Sequence, residues 1–440
     1  MIFSSTRRRS STLALALALA TGTALTAVAI EAPAQAQRKK KEKEPKQDFS
    51  EAFRGQYNAL ATLAQGDAAQ KAQAAAQAPA FAQTFSTADD RYTGGVLLYN
   101  LGRDTDNDQL QLQGIDNILQ SGKAPAENLG AFHFTGYQIA MGMENAAKAR
   151  EYLAAMADRN LAFDAQLADG TPKTFGPDDY RMMIIETYFA DQDYTTGFAE
   201  LDKYMAAKAA AGEKIPENWI RRGFATAIEA QNKPLISQYA RTYVSEYPSE
   251  ASWKDAIAVL YNESQLDPQG MLDLLRLARR TNALQNRAMY GEYIDSADPR
   301  RLPQEVRDII NEGYTAGALD RSDTYLTEAL KEATRRVETD KADLPNFLKD
   351  ARRSNADLAT LVAAGDTFLS YGRAAEAEEF YNRALPMSGV DTPRVLTRLG
   401  MAQLDQGKYA DAEATFNKVE GARQAIASLW AVYSNQQSGS

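Results

Sequence analysis

The chain's only histidine, His133 in the run AFHFTG, sharply limits the chemistry it can do. A Ser-His-Asp relay or a multi-histidine metal site is either built on that imidazole or absent. Cysteine is missing from all 440 residues, which removes thiolate nucleophiles, thiolate metal sites and disulfides. No Ser-x-x-Lys, Gly-x-Ser-x-Gly, phosphate-loop or dinucleotide glycine motif occurs. His133 is therefore expected to be a structural residue on a helix. Asp104-Thr105-Asp106-Asn107-Asp108 begins like a calcium loop, but Gln109 stands at its glycine position and Ile115 at its bidentate-glutamate position. The expectation there is a helix cap, with Asp106 or Asn107 accepting from free amides at the next N-terminus. Paired carboxylates at helix ends can cleave glycosidic bonds in some helical toroid hydrolases. No spacing here identifies such a pair. No catalytic, metal-binding or cofactor-binding residue is assigned, and no cofactor is expected.

The elements that carry these residues read as helices. Ala-rich segments mixed with Glu, Lys, Arg and Leu favour helix, and β-branched runs are scarce. A hydrophobic content of 44% excludes wholesale disorder. Residues 49 to about 88 suggest a helical pair. From Arg91, YTGGVLLYNLG reads as one helix, DTDND as a turn and QLQLQGIDNILQSG as a second helix stopped at Gly122. FHFTGYQIAMGMENAAKAREYLAAMADRN and DYRMMIIETYFADQDYTTGFAELDKYM repeat the plan, separated by a turn-rich break at 164–178. Pro216, Pro268, Pro299, Pro303, Pro345, Pro386 and Pro393 are expected between periodic segments, where they do not break helices.

The spacing is repetitive. Trp219 and Trp253 lie 34 residues apart, and Gly365 and Gly400 lie 35 apart. GDTFLSYGRAAEAEEFYNRAL places Gly365, Phe368, Gly372, Ala377, Tyr381 and Ala384 at fixed small and aromatic positions. LGMAQLDQGKYADAEATFNKV does the same with Leu399, Gly400, Gly407, Tyr409, Ala412 and Phe416. These two runs resemble the tetratricopeptide repeat. The likeness weakens upstream, where Trp219, Gly223 and Tyr239 fit one repeat and Ile257 stands at a glycine position. The resemblance implies an all-α, right-handed solenoid of helix-turn-helix hairpins. It also implies degenerate repeats over 49–345, clear repeats over 346–440, and a capping helix at Ala422–Tyr433.

The first 36 residues read as an export signal. Arg7, Arg8 and Arg9 precede an apolar stretch from Ser11 to Ile30, and Ala34-Gln35-Ala36 supplies a small-x-small cleavage site. The interrupted apolar stretch argues against a permanent membrane helix. No Phe-Leu pair follows the arginines, so general secretion is expected over the twin-arginine route. Cleavage after Ala36 leaves 46 basic and 57 acidic residues, a net charge of −11, which argues against nucleic-acid binding. Without cysteine the chain is not a lipoprotein. Residues 37–48, QRKKKEKEPKQD, are expected to form a disordered charged leader. The expected location is the periplasm or beyond, with no integral membrane segment after cleavage.

If the tetratricopeptide alignment holds, first helices line a concave groove. It would carry Met182, Glu186 and Phe189, then Ile220, Phe224 and Tyr261, then Asp366, Leu369, Arg394, Arg398, Met401 and Leu404. Ordinary packing between repeats is the competing reading for the apolar members. The expected function is a non-enzymatic scaffold that binds an unidentified protein or peptide in envelope processes. The alternative is a carbohydrate-active helical enzyme with paired carboxylates.

Overall fold

The computed structural model describes residues 47–166, 170–263 and 265–439. The signal-like segment, its cleavage site and most of the charged leader lie outside the described residues. The chain divides into two compact units, up to Ala207 and from Lys208 onward.

The first unit pairs α1 (Glu51–Ala64) with α2 (Ala68–Ala82), α3 (Ala88–Asp104) with α4 (Asp108–Gln120), and α5 (Leu129–Gly142) with α6 (Ala146–Asp158). It continues through β1 (Phe163–Gln166), β2 (Pro172–Phe175), α7 (Pro177–Ala190) and α8 (Tyr194–Ala210), in which the division falls. The α3–α4 pair packs backbone to backbone. A Cβ on Gly95 would lie 2.7 Å from the Gly114 carbonyl oxygen, so only glycine permits this approach. Between these helices Asn107 Oδ1 accepts from Leu110 N at 3.0 Å, the helix cap expected in place of a calcium loop. Asp48, assigned to the leader by its composition, is tied down instead. Its amide donates to Asp89 Oδ2 at 2.7 Å and its carbonyl accepts from Thr87 Oγ1 at 2.6 Å. Buried Asp90 accepts from the backbone amides of Ser50, Ser86 and Thr87. The break at 164–178 is not a plain loop. β1 and β2 form an antiparallel ribbon, Phe163 paired with Phe175, because Phe163 stacks on buried Phe134 at 4.5 Å.

The second unit holds α9 (Glu217–Glu229), α10 (Lys233–Glu246), α11 (Glu250–Glu263), α12 (Pro268–Arg280), α13 (Arg287–Ala297) and α14 (Pro303–Thr315). Then come α15 (Thr324–Ala351), α16 (Leu358–Ser370), α17 (Ala374–Ala384), α18 (Thr392–Asp405), α19 (Tyr409–Phe416) and α20 (Gln424–Ser438). Among the described residues both units are therefore all-α hairpin assemblies, the first carrying one short ribbon. Pro345 does not separate segments as expected; it lies inside the 28-residue α15. Leu326, Ala329, Ala333, Val337, Leu344 and Ala351 keep one buried side along that helix, which carries it past the proline.

The glycine–aromatic spacing has a direct packing meaning. A Cβ on Gly365 would meet the Tyr381 ring at 2.5 Å, and one on Gly400 would meet Phe416 at 2.6 Å. Gly136 and Tyr152, at the same separation in α5–α6, make the identical contact at 2.6 Å. Each first helix thus omits a side chain where the second helix inserts a ring. Ala377 is fully buried beside this contact. Ala377→Leu should cost about 1–3 kcal/mol by overpacking, measured by urea unfolding. Unchanged stability together with unchanged amide protection in α16 and α17 would place Ala377 outside the helix contact.

Two expectations about the end of the chain need correction. The helix predicted over Ala422–Tyr433 is a short 3₁₀ turn, Gly421–Arg423, followed by α20. It also does more than cap. α20 packs on α19 and also on α10, α12 and α18. The second unit therefore closes on itself.

Candidate functional site

α12 has the sequence PQGMLDLLRLARR and is buried on nearly every face, with Leu272, Leu274, Leu275 and Leu277 fully covered. Two of its charged residues are covered too. Asp273 is 0% exposed and Arg276 is 7% exposed. A buried charge survives only when paired and hydrogen-bonded, and here the pairing comes from four directions. Arg276 holds Glu305 of α14 through two bonds of 2.8 and 2.7 Å and reaches Asp273 at 3.1 Å. Asp273 also accepts from Arg398 of α18 at 3.1 Å and from Arg423, ahead of α20, at 2.5 Å. Trp430 of α20 donates its indole N–H to the Asp273 carbonyl at 3.0 Å.

The network continues into the C-terminal repeats. Asp366 pairs with Arg398 at 2.7 Å and Arg394 at 2.6 Å, and accepts from Tyr381 Oη at 2.8 Å. The flanking guanidiniums hold its carboxyl well below the usual carboxylate range despite burial. Glu305 is likewise held low, against its burial, by Arg276 and by the hydroxyl of Tyr293, which donates at 2.6 Å. Protonating either group would break these pairs, so their contribution to stability is present near neutral pH and is lost under strong acid.

Beside this network lies a cavity of about 450 Å³. One wall is charged. α12 supplies Arg276, Arg279 and Arg280, and α14 supplies Glu305, Asp308 and Glu312. The other wall is largely apolar, formed by Leu369, Met401 and Trp430, with Ser370 and Asp405. Arg279 Nε donates to Glu312 at 2.8 Å, and Arg280 bonds Asp405 at 2.6 Å while lying over the Trp430 ring. This size suits a small ligand or a few side chains of a larger one.

The residues expected to line a partner groove are distributed differently. Met182, Glu186 and Phe189 sit on α7 of the first unit. Phe189 is 5% exposed and packs into the space beside Gly197 and against Phe198. Ile220 and Phe224 on α9 are buried as core, so the apolar strip is inter-helix packing rather than an open surface. Tyr261 on α11 is half-buried. Leu369 and Met401 do reach the cavity. Asp366, Arg394 and Arg398 face one another instead of a partner, and Leu404 is buried. On α18 the physical cause is that α12 and α20 pack against it. Reading single repeats missed Arg276, Arg279, Glu305 and Glu312. The runs DLLRLARR and EVRDIINE each keep these charges on one helical face, Arg276 and Arg279 at i, i+3 and Glu305 and Glu312 at i, i+7, but neither spacing pairs one run with the other.

His133 lies on α5, 4% exposed, edge-on to Tyr152 at 6.1 Å, and neither ring nitrogen has a hydrogen-bond partner. Burial and Arg159 push its pKa down to about 4, against a smaller opposing pull from Asp116. Between pH 6.5 and 4 the unfolded chain takes up a proton that the native state refuses. Stability is therefore unaffected above about pH 7 and falls as pH drops through that window. The loss should reach roughly 3 kcal/mol near pH 4. His133→Leu should flatten this acid limb in a series of urea melts. A limb of unchanged slope would assign it to other groups. Among the described residues no cluster of three or more His, Asp or Glu could hold a metal ion, and no helix is long and apolar enough to cross a membrane.

No family model matches the sequence, and no curated protein matches it. Among solved structures it is similar to a chain in the structure of Naa15/Naa10 bound to HypK-THB. The TM-score is 0.33 and the identity 11%, with 86% of this chain and 66% of that chain covered.

Proposed function

We propose that this chain is an exported, non-enzymatic scaffold that holds a protein or peptide partner in the cell envelope. The observation that carries the reading is the cavity in the second unit, where Glu305, Glu312 and Asp405 are locked to arginines rather than poised to exchange protons. A glycoside-cleaving pair needs one carboxylic acid kept protonated near neutrality. Glu305 has the opposite tuning, held ionised by Arg276 and Tyr293. Repeated hairpins of one plan supply a rigid frame for binding, and half-buried Leu369 supplies apolar surface for desolvation. Export rests on the signal architecture of residues 1–36.

The test is a photo-crosslinking amino acid placed at Leu369 in the full-length chain, expressed in intact cells. A matched position is Lys331 on α15, whose side chain is 77% exposed. The secreted form should begin at Gln37 and give a discrete polypeptide adduct from position 369 that is absent from position 331. Equal labelling from both positions, or turnover of cell-wall glycan by the purified protein, would overturn the scaffold reading.

A further inference from the structure

The charged wall of the cavity is a ladder with one rung unfilled. Glu305, Asp308 and Glu312 follow one another at i, i+3 and i+7, so they share one face of α14. Arg276 and Arg279, one turn apart on α12, each grip one of the outer two carboxylates through both oxygens. Arg280, the remaining arginine of that helix to reach the cavity, is turned away to Asp405 and the Trp430 ring. The central Asp308 therefore has no α12 cation opposite it. It accepts from the amide of Gln304 at 2.8 Å, and its nearest guanidinium is its neighbour Arg307 at 3.9 Å. Its side chain is 39% exposed. Across the cavity, half-buried Leu369 provides apolar surface against which an alkyl chain can lie, backed by buried Met401 and Trp430.

We propose that this cavity takes a basic side chain of a polypeptide partner, a lysine ammonium or arginine guanidinium, with Asp308 as its counter-charge and Leu369 against its aliphatic stem. The inference rests on the scaffold reading and names the chemistry of the partner. Charge complementarity carries it. The cavity presents four carboxylates to three guanidiniums, in a chain whose net charge is −9. An anionic ligand would have to displace Glu312 or Asp405 from an arginine before it could pair. A cation meets Asp308 without breaking a bond between helices.

The test titrates the cleaved full chain with capped alanine-based pentapeptides carrying lysine, arginine, norleucine or glutamate at the centre, followed by calorimetry and by the Trp430 indole resonance. The lysine and arginine peptides should bind at least about tenfold more tightly than the norleucine peptide. Asp308→Asn should remove that preference and leave the melting temperature unchanged, because Asp308 bridges no helices. Equal affinity for norleucine and lysine, tighter binding of the glutamate peptide, or an unchanged preference in the Asp308→Asn chain would each overturn the proposal. Crosslinking from Leu369 separates this result from the scaffold reading. If the Asp308→Asn chain yields the same adduct in cells while the wild-type chain binds no basic peptide, the scaffold stands and the cation site does not.

Discussion

Asp273→Ala should destabilise the second unit more than any other single truncation in the chain, by about 3–5 kcal/mol in urea unfolding. Asp273 is fully buried and is the meeting point of Arg276, Arg398 and Arg423. Removing it leaves Arg398, itself 0% exposed, with Asp366 as its one remaining carboxylate. Arg423 keeps only Asp267, whose side chain is 61% exposed. A buried charge without its partner costs several kcal/mol, whereas replacing a whole ion pair with apolar groups is often neutral. The double variant Asp273→Leu with Arg398→Met should therefore be more stable than Asp273→Ala. If Asp273→Ala costs less than about 1 kcal/mol, the network is not what closes this unit.

Trp430→Ala comes next, with an expected loss of about 3–5 kcal/mol. Trp430 is fully buried, stacks on Phe416 at 5.7 Å, meets Tyr433 edge-on at 6.0 Å and carries Arg280 over its ring. The location of the damage tests the architecture. In an open array, loss of a terminal contact frays only the last repeats. Here α20 also covers α10 and α12, and Gln436 donates to the Val244 carbonyl at 2.7 Å. Hydrogen exchange should therefore speed up in α10 and α12 along with α19 and α20. Protection lost only in α19 and α20 would mean that the unit is open. Trp430→Phe, which keeps the stack and drops the indole N–H, should lose less than the alanine variant.

Much of the local architecture was legible in the sequence. The glycine and aromatic positions of 365, 381, 400 and 416 marked where one helix must give way to a ring on the next. That rule is local, because both members belong to one hairpin. The failure of the calcium pattern at Gln109 and Ile115 likewise pointed to a cap, and Asn107 makes it. The export signal stays an expectation, since its residues lie outside those described.

What the sequence determined is thus which segments are helices and how neighbours in the chain pair, because those contacts are set by periodicity and by side-chain size within one hairpin. What only the tertiary structure decided is which face of a hairpin remains free. A helical pattern says that a face is apolar or charged, never what will cover it. Asp273 illustrates the limit. It sits 16 residues after Ile257, the separation at which clearer repeats place glycine and ring, and there the chain has neither. Its partners Arg398 and Arg423 are 125 and 150 residues away, a distance over which no spacing rule operates. Packing of α12 and α20 on α18 accompanies the burial of Arg398 and Leu404, which an open groove would have exposed, and a cavity remains, edged by residues from α12, α14, α16 and α18. The candidate site exists because these distant helices meet, and their meeting is written in no single repeat.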